Sequence, residues 1–162
     1  MRDLLRAARA AARRRLGSAR VYSVSIWTDP DAAASSVSID TRSHSADHLA
    51  TLTSWAHGQV AKQPGMDRDL TEALLKLPDR NINPADFALA DLVVRKHTSF
   101  PAHWASNSEG ACWDVLGPAL ERVAQEAVQL FAELPLDLEA ELGVNSAHDW
   151  YDHRRAFGEQ AT

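Results

Sequence analysis

Two short runs of alternating residues, VYSVSIW at 21–27 and SSVSIDT at 35–41, constrain this chain more than any other feature. In the first, Tyr22, Val24 and Ile26 fall on one side and Val21, Ser23, Ser25 and Trp27 on the other. In the second, Val37, Ile39 and Thr41 alternate with Ser36, Ser38 and Asp40. A period of two is that of a β-strand, whose side chains point to opposite faces in turn. Thr28-Asp29-Pro30-Asp31 between them starts a loop, because proline presets φ and aspartate bonds nearby backbone. The two runs therefore predict an antiparallel hairpin. One face is greasy and the other rich in serine, which predicts a sheet covered on one side only.

Helical spacing surrounds this hairpin. Leu4, Leu5, Ala8, Ala11, Ala12 and Leu16 share one arc of a helix over 3–16, stopped by Gly17. A second helix is predicted from an N-cap at Ser45, with Leu49, Leu52, Ala56 and Val60 as its buried stripe and Gln63-Pro64-Gly65 as its stop. A short helix over 69–77 buries Leu70, Leu74 and Leu77. DFALADLVV, apolar on both sides, reads as a third and central strand in which Asp91 needs a partner or an edge. The longest helix carries Leu116, Leu120, Val123, Ala127, Leu130 and Leu134, with Pro118 either in its first turn or inside an earlier start at Ala111. DLEAELGVNS reads as a link. The closing HDWYDHRRAF reads as a helix capped by Ser146, with Trp150, Arg154 and Phe157 along one edge. The predicted class is α+β: an antiparallel sheet of three or more strands packed by helices, one domain over residues 1–162.

Charge is distributed unevenly. Residues 1–20 hold seven arginines against one acid, Asp3; the remainder holds ten bases against twenty-one acids, and the net charge is -5. Arg2, Arg6, Arg9 and Arg13 form a row beside the apolar arc of the first helix, suited to nucleic acid, a membrane surface or an acidic surface of the chain itself. The acidic remainder argues against a broad nucleic-acid surface. No apolar run approaches a bilayer span, and one cysteine, Cys112, forms neither an internal disulfide nor a multi-cysteine zinc site. A reducing cytoplasm is the expected location, with no membrane partner.

No phosphate-binding, dinucleotide, serine-hydrolase or zinc-protease motif is present. No catalytic residue is therefore assigned, and no cofactor is expected. Histidine supplies the one route to chemistry: His44 and His48 stand four apart across a helix start, and His97 and His103 flank a loop. A metal site needs three or four such groups to converge. His148 and His153 stand five apart, too far around a helix to act together. Five tryptophans are the other bias. Trp55 and Trp113 read as core, whereas Trp104 in a loop, together with Trp150, Tyr151 and Arg154, reads as a binding surface.

An Arg-rich helix, then VYSVSIWTDPD, then SSVSIDTRSHSADHL, with NPADFALADLVV and the closing WYDH, resembles a family of bacterial domains of unknown function. The resemblance implies an opening helix, a two-stranded hairpin and a threonine, here Thr41, that ends the second strand before a helix. Similar small domains sit beside toxin genes, where some act as immunity proteins. The expected function is thus a cytoplasmic protein-binding module of unknown partner, immunity-like, with a toxin as the partner in that form. The alternatives are a metal-dependent or histidine-using enzyme and nucleic-acid binding through the arginine row. Oligomeric state is left open.

Overall fold

The hairpin forms as its alternation requires and becomes the centre of a larger sheet. The computed structural model describes residues 1–29, 33–97, 111–146, 149 and 151–158. In chain order these give α1 (Arg2–Arg15), β1 (Val21–Thr28), β2 (Ala34–Thr41), α2 (Arg42–Lys62), α3 (Arg68–Leu75), a 3-10 turn (Pro84–Asp86), β3 (Leu89–Lys96), α4 (Ala111–Phe131), β4 (Leu136–Val144) and β5 (His153–Ala156). The sheet order is β3-β2-β1-β4-β5, antiparallel except for the central β1–β4 pair. The α+β reading holds. No helix among the described residues is long and apolar enough to cross a membrane.

One sheet face is an apolar core. Val24, Ile26, Val37, Ile39, Leu142 and Val144 meet Leu4, Leu5, Ala8 and Ala12 of α1 and Leu116, Leu120, Ala124, Ala127 and Phe131 of α4. The helix α1 ends as expected, with Gly17 at φ +58, the left-handed conformation that glycine adopts without steric cost. Pro118 lies inside α4, which starts at Ala111, the earlier of the two alternatives.

The serine face is buried too, contrary to the expectation of a sheet covered on one side. Ser23, Ser25, Ser36, Ser38 and Asp40 are all fully or almost fully inaccessible. Asp40 is covered by His44 at the start of α2 and by Asn81, and Ser23 lies beside Tyr151. A bulge in β1 also separates Val21 from its expected side. Val21 pairs with Thr41 and Ser23 with Asp40, so Tyr22 is an extra residue. Val21 accordingly joins the apolar core, and Tyr22 leaves it.

Other sequence expectations change for local reasons. Thr41, the last residue of β2, is the N-cap of α2, its Oγ1 accepting from the His44 N–H; Ser45 sits one turn further in and accepts from Asn81 N–H at 2.8 Å. Of the predicted α2 stripe only Ala56 is fully buried, and Trp55, expected in the core, is 54 % exposed. Leu70 on α3 is likewise exposed rather than buried, while Leu74 and Leu77 are half-buried. Strand β3 is an edge, not a centre. Its register slips by two residues between Val93 and Leu89, and Asp91, at φ +44, is the exposed bulge residue whose N–H reaches Ser38 Oγ.

The largest revisions lie at the C-terminal end. The expected link is strand β4, an interior strand between β1 and β5, and the expected closing helix is a turn followed by β5. Ser146 does accept from Asp149 N–H, but as part of a turn. Beyond it, half-buried Arg155 and Phe157 alternate with exposed Arg154 and Ala156, the period of a strand. Opposite β5, Gly143 is glycine for a steric reason: a Cβ there would collide with the ring of buried Tyr151. Gly143→Ala should lower the unfolding free energy by about 1–3 kcal/mol in urea denaturation. The loss should shrink in a Tyr151→Ala background, because the two sites are coupled by contact.

Candidate functional site

The β1 bulge has a counterpart in β4. Val21 pairs with Leu136 and Ser23 with Glu141, so two steps along β1 match five along β4. Residues 137–140 therefore bow away from the ladder with β1 while staying within strand β4, an arch with Leu138 at its apex, 101 % exposed, and Ala140 buried. An arch forfeits ladder hydrogen bonds, and its backbone groups must be satisfied in another way.

Arginines from three segments hold the arch, through the backbone carbonyl at its start, one carbonyl within it and the carboxylates of Asp137 and Glu139. Arg20 Nε donates to Leu136 O at 2.9 Å. Arg42, the first residue of α2, grips Asp137 with two nitrogens at 3.0 and 2.5 Å and reaches Glu139 at 3.0 Å. Arg80 is buried, and its Nη1 donates to Glu139 O at 3.2 Å and Tyr22 O at 3.3 Å. Both the Arg42 and Arg80 guanidiniums lie over the Tyr22 ring, 4.4 and 4.2 Å from its centroid, where the π face attracts a cation. Tyr22 is thus the platform on which the arch is braced. At the far end, Phe157 N–H closes onto Ala140 O at 3.2 Å.

Beside the arch runs an open groove of about 500 Å³ with Leu136, Ala140, Ala156 and Phe157 as its apolar lining and Glu139, Glu141 and Arg80 at its polar edge. Glu141 lies 3.3 Å from Arg80 Nε and 3.8 Å from Arg154 Nε, within ion-pair range but not aligned for hydrogen bonds. Burial and this carboxylate push the Tyr151 phenol well above its ordinary pKa. The Arg42 hydrogen bonds hold the Asp137 carboxyl down at about 2.

The residues expected to bind a partner are distributed differently. Trp104 and Trp150 lie outside the described residues. Tyr151 is buried, at 3 % exposure, and packs edge-on against Phe87. Arg154 is exposed and sits over Tyr151 between Asp79 and Glu141. Leu138 was not anticipated. Its alternation with Asp137 and Glu139 was visible, but a strand that leaves its sheet for one arch gives no local signal.

The histidines separate by sheet face. His97 Nε2 meets Ser35 Oγ at 2.8 Å, and Ser35 meets Thr28 Oγ1 at 2.7 Å, beside a cavity of about 210 Å³ lined by Leu116, Leu120 and Val123. Burial, then the amino terminus and Arg95, lower the His97 pKa against the pull of Asp29. Ser35 is fully buried, so this pair offers no approachable nucleophile. On the opposite face, Asp40 Oδ1 accepts from His44 Nδ1, Thr41 N and Ala88 N, and Oδ2 from Asn81 Nδ2. His48 Nε2 stands 3.9 Å from Asp86. His103 and the side chain of Cys112 lie outside what is described.

The arginine row is largely used internally. Arg2 pairs with Glu126 through two nitrogens, and Arg9 and Arg13 converge on Glu133. Only Arg6, in a shallow groove between α1 and α4, has no ion pair among the described residues. The row answers Glu126 of α4 and Glu133 in the turn just after it, the self-directed option among those open to it.

The bracing of the arch has a pH signature. A carboxyl held at about 2 in the folded state, against an ordinary 3.8, contributes stability above pH 4 that is lost as pH falls toward 2. Arg42→Gln removes that contribution, so the acid limb of stability against pH should flatten between pH 4 and 2; an unchanged limb would show that Arg42 does not hold Asp137. Compared with known proteins, the chain matches no family model, no curated protein and no solved structure.

Proposed function

We propose that this chain is a protein-binding module whose contact surface centres on Leu138 and the groove beside it. The observation that carries the reading is a fully exposed leucine held on an arch braced by Arg20, Arg42 and Arg80. A lone exposed leucine is ordinary, but Leu138 continues the apolar lining of the groove formed by Leu136, Ala140, Ala156 and Phe157, and a contiguous apolar surface of that kind is what a partner buries. Burying a leucine contributes roughly 1.5–3 kcal/mol. A braced arch has already met much of the ordering cost that a flexible loop meets on binding.

The partner is a protein with an apolar pocket rimmed by lysine or arginine. Glu139 flanks Leu138 and is mostly exposed, and the chain beyond residue 20 carries twice as many acids as bases. Such complementarity accelerates association and lowers its rate as salt rises. In the immunity-like form suggested by the sequence resemblance, this partner is a toxin whose action is blocked by coverage of its basic site.

The test compares the wild type with Leu138→Asp on extract of the native host, followed by titration of the purified partner. Leu138 touches nothing in the core, so the variant should keep its unfolding midpoint. Affinity should fall at least tenfold, about 1.4 kcal/mol. A stoichiometric partner that binds both proteins equally, or no stoichiometric partner at all, overturns the reading.

A further inference from the structure

The arch is also an uncovered strand edge. Strand β4 runs from Leu136 to Val144, but β5 covers only part of its outer side. The register of the pair extends from Val144↔His153 to Glu141↔Ala156. One further bond, from Phe157 N–H to Ala140 O at 3.2 Å, closes it, and the chain then turns at 157–158. Residues 136–140 are thus extended backbone with no described strand beside them on this side. At roughly 3.3 Å per residue they offer a lane about 16 Å long.

Residues two apart on a strand direct their backbone N–H and C=O to the same edge. Phe157 bonds Ala140 O on the β5 side, so the N–H and C=O of Leu138 face the lane. The opposite phase is already in use: Glu139 O accepts from Arg80 Nη1, which also bonds Tyr22 O of β1. The backbone pair of Leu138 has no ladder partner among the described residues, because the register of neither neighbouring strand reaches it. The groove of about 500 Å³ runs along this lane, with Leu136, Leu138, Ala140 and Phe157 in its wall. Full exposure of Leu138 shows that no other part of the chain lies over it. The far edge of the sheet is different. Strand β3 carries the Asp91 bulge and ends in exposed Arg95 and Lys96, features that discourage pairing with another strand.

We infer that the partner binds by strand addition: an extended segment of it pairs with residues 136–140 of β4, in the lane that β5 leaves open. This rests on the reading of Leu138 as a contact surface and specifies what meets it. Residues 136, 138 and 140 share one sheet face, and 137 and 139 the other. Leu136 and Phe157 pack against the apolar core on the first face, so alternate side chains of the added strand meet Leu136, Leu138 and Phe157. The intervening ones meet Glu139, whose side chain is 66 % exposed. The segment is therefore one in which apolar residues alternate with lysine or arginine. Main-chain bonds to Leu138 supply affinity, and the alternate side chains supply specificity. Arg20, Arg42 and Arg80 hold the template extended before the partner arrives.

The probe is a library of random linear decapeptides, selected on the full chain and depleted on Leu138→Asp. Enriched peptides should alternate apolar and basic residues. Bound to the full chain, they should slow hydrogen exchange of the Leu138 amide at least tenfold, read residue by residue by NMR. N-methylation of one set of alternate peptide nitrogens should weaken binding at least tenfold, and N-methylation of the other set should leave it nearly unchanged, because only one edge of the added strand pairs with β4. Three results overturn strand addition: no peptide that discriminates the variant, a bound peptide that leaves the Leu138 amide exchanging freely, or equal tolerance of both N-methylated forms. A Leu138 amide already protected in the free chain also overturns it, since the chain would then fill its own lane. A folded partner that requires Leu138 but leaves its amide unprotected upholds the contact surface and overturns strand addition, so the two readings fail separately.

Discussion

A sheet face made of serines and an aspartate can be buried only if its polar groups find partners, and most of this structure follows from meeting that condition. Asp40, with a backbone N–H on each side and Asn81 and His44 around it, is the centre of the solution. Because its donors come from α2, from the segment before the 3-10 turn and from Ala88 just ahead of β3, satisfying one carboxylate fixes where all three sit. Removing a donor there would strand a buried charge, which costs far more than an exposed ion pair contributes. Ser23 shows the limit of the arrangement: its hydroxyl lies beside the Tyr151 phenol without hydrogen-bond alignment.

The same face explains the arch. A bulge at Tyr22 sends an aromatic ring toward the polar side, and that ring gathers Arg42 and Arg80. Arg80 then bonds the Glu139 carbonyl, and Arg42 grips the carboxylates of Asp137 and Glu139, which pins the arch from below. Exposure of Leu138 is therefore not looseness at a loop tip. It is the outer consequence of bracing that starts in the buried layer. The row on α1 works differently: Arg2 is bound to Glu126 of α4, and Arg9 and Arg13 to Glu133 in the turn after it, which leaves little of the row to read phosphates.

The hairpin, α1 and α4 were legible because each carries its period in consecutive residues. Trp55 and Leu70 misled because an apolar residue at helical spacing looks the same whether its neighbour is the core or solvent. HDWYDHRRAF misled more deeply. Its cap and its spacing of four fitted a helix, yet Tyr151 had to lie over Gly143, and only a chain paired beside β4 puts it there. Leu138 of the candidate contact surface was not legible, since an arch is defined by a mismatch between two strands 115 positions apart in sequence. The His44–His48 spacing was visible at once; the carboxylate behind it was visible only as a residue four positions earlier.

By itself the sequence determined the α+β class, the hairpin, the two helices of the apolar core and the location of charge, because local period and composition act over neighbouring residues. Tertiary structure alone decided that the serine face would be buried, that β3 would be an edge and β4 an interior strand, and that Leu138 would stand in solvent. The physical reason is one of range. Burial and hydrogen-bond satisfaction are properties of the assembled face, and residues such as Asp40, Arg80 and Tyr22 acquire their roles only when distant segments are brought against them.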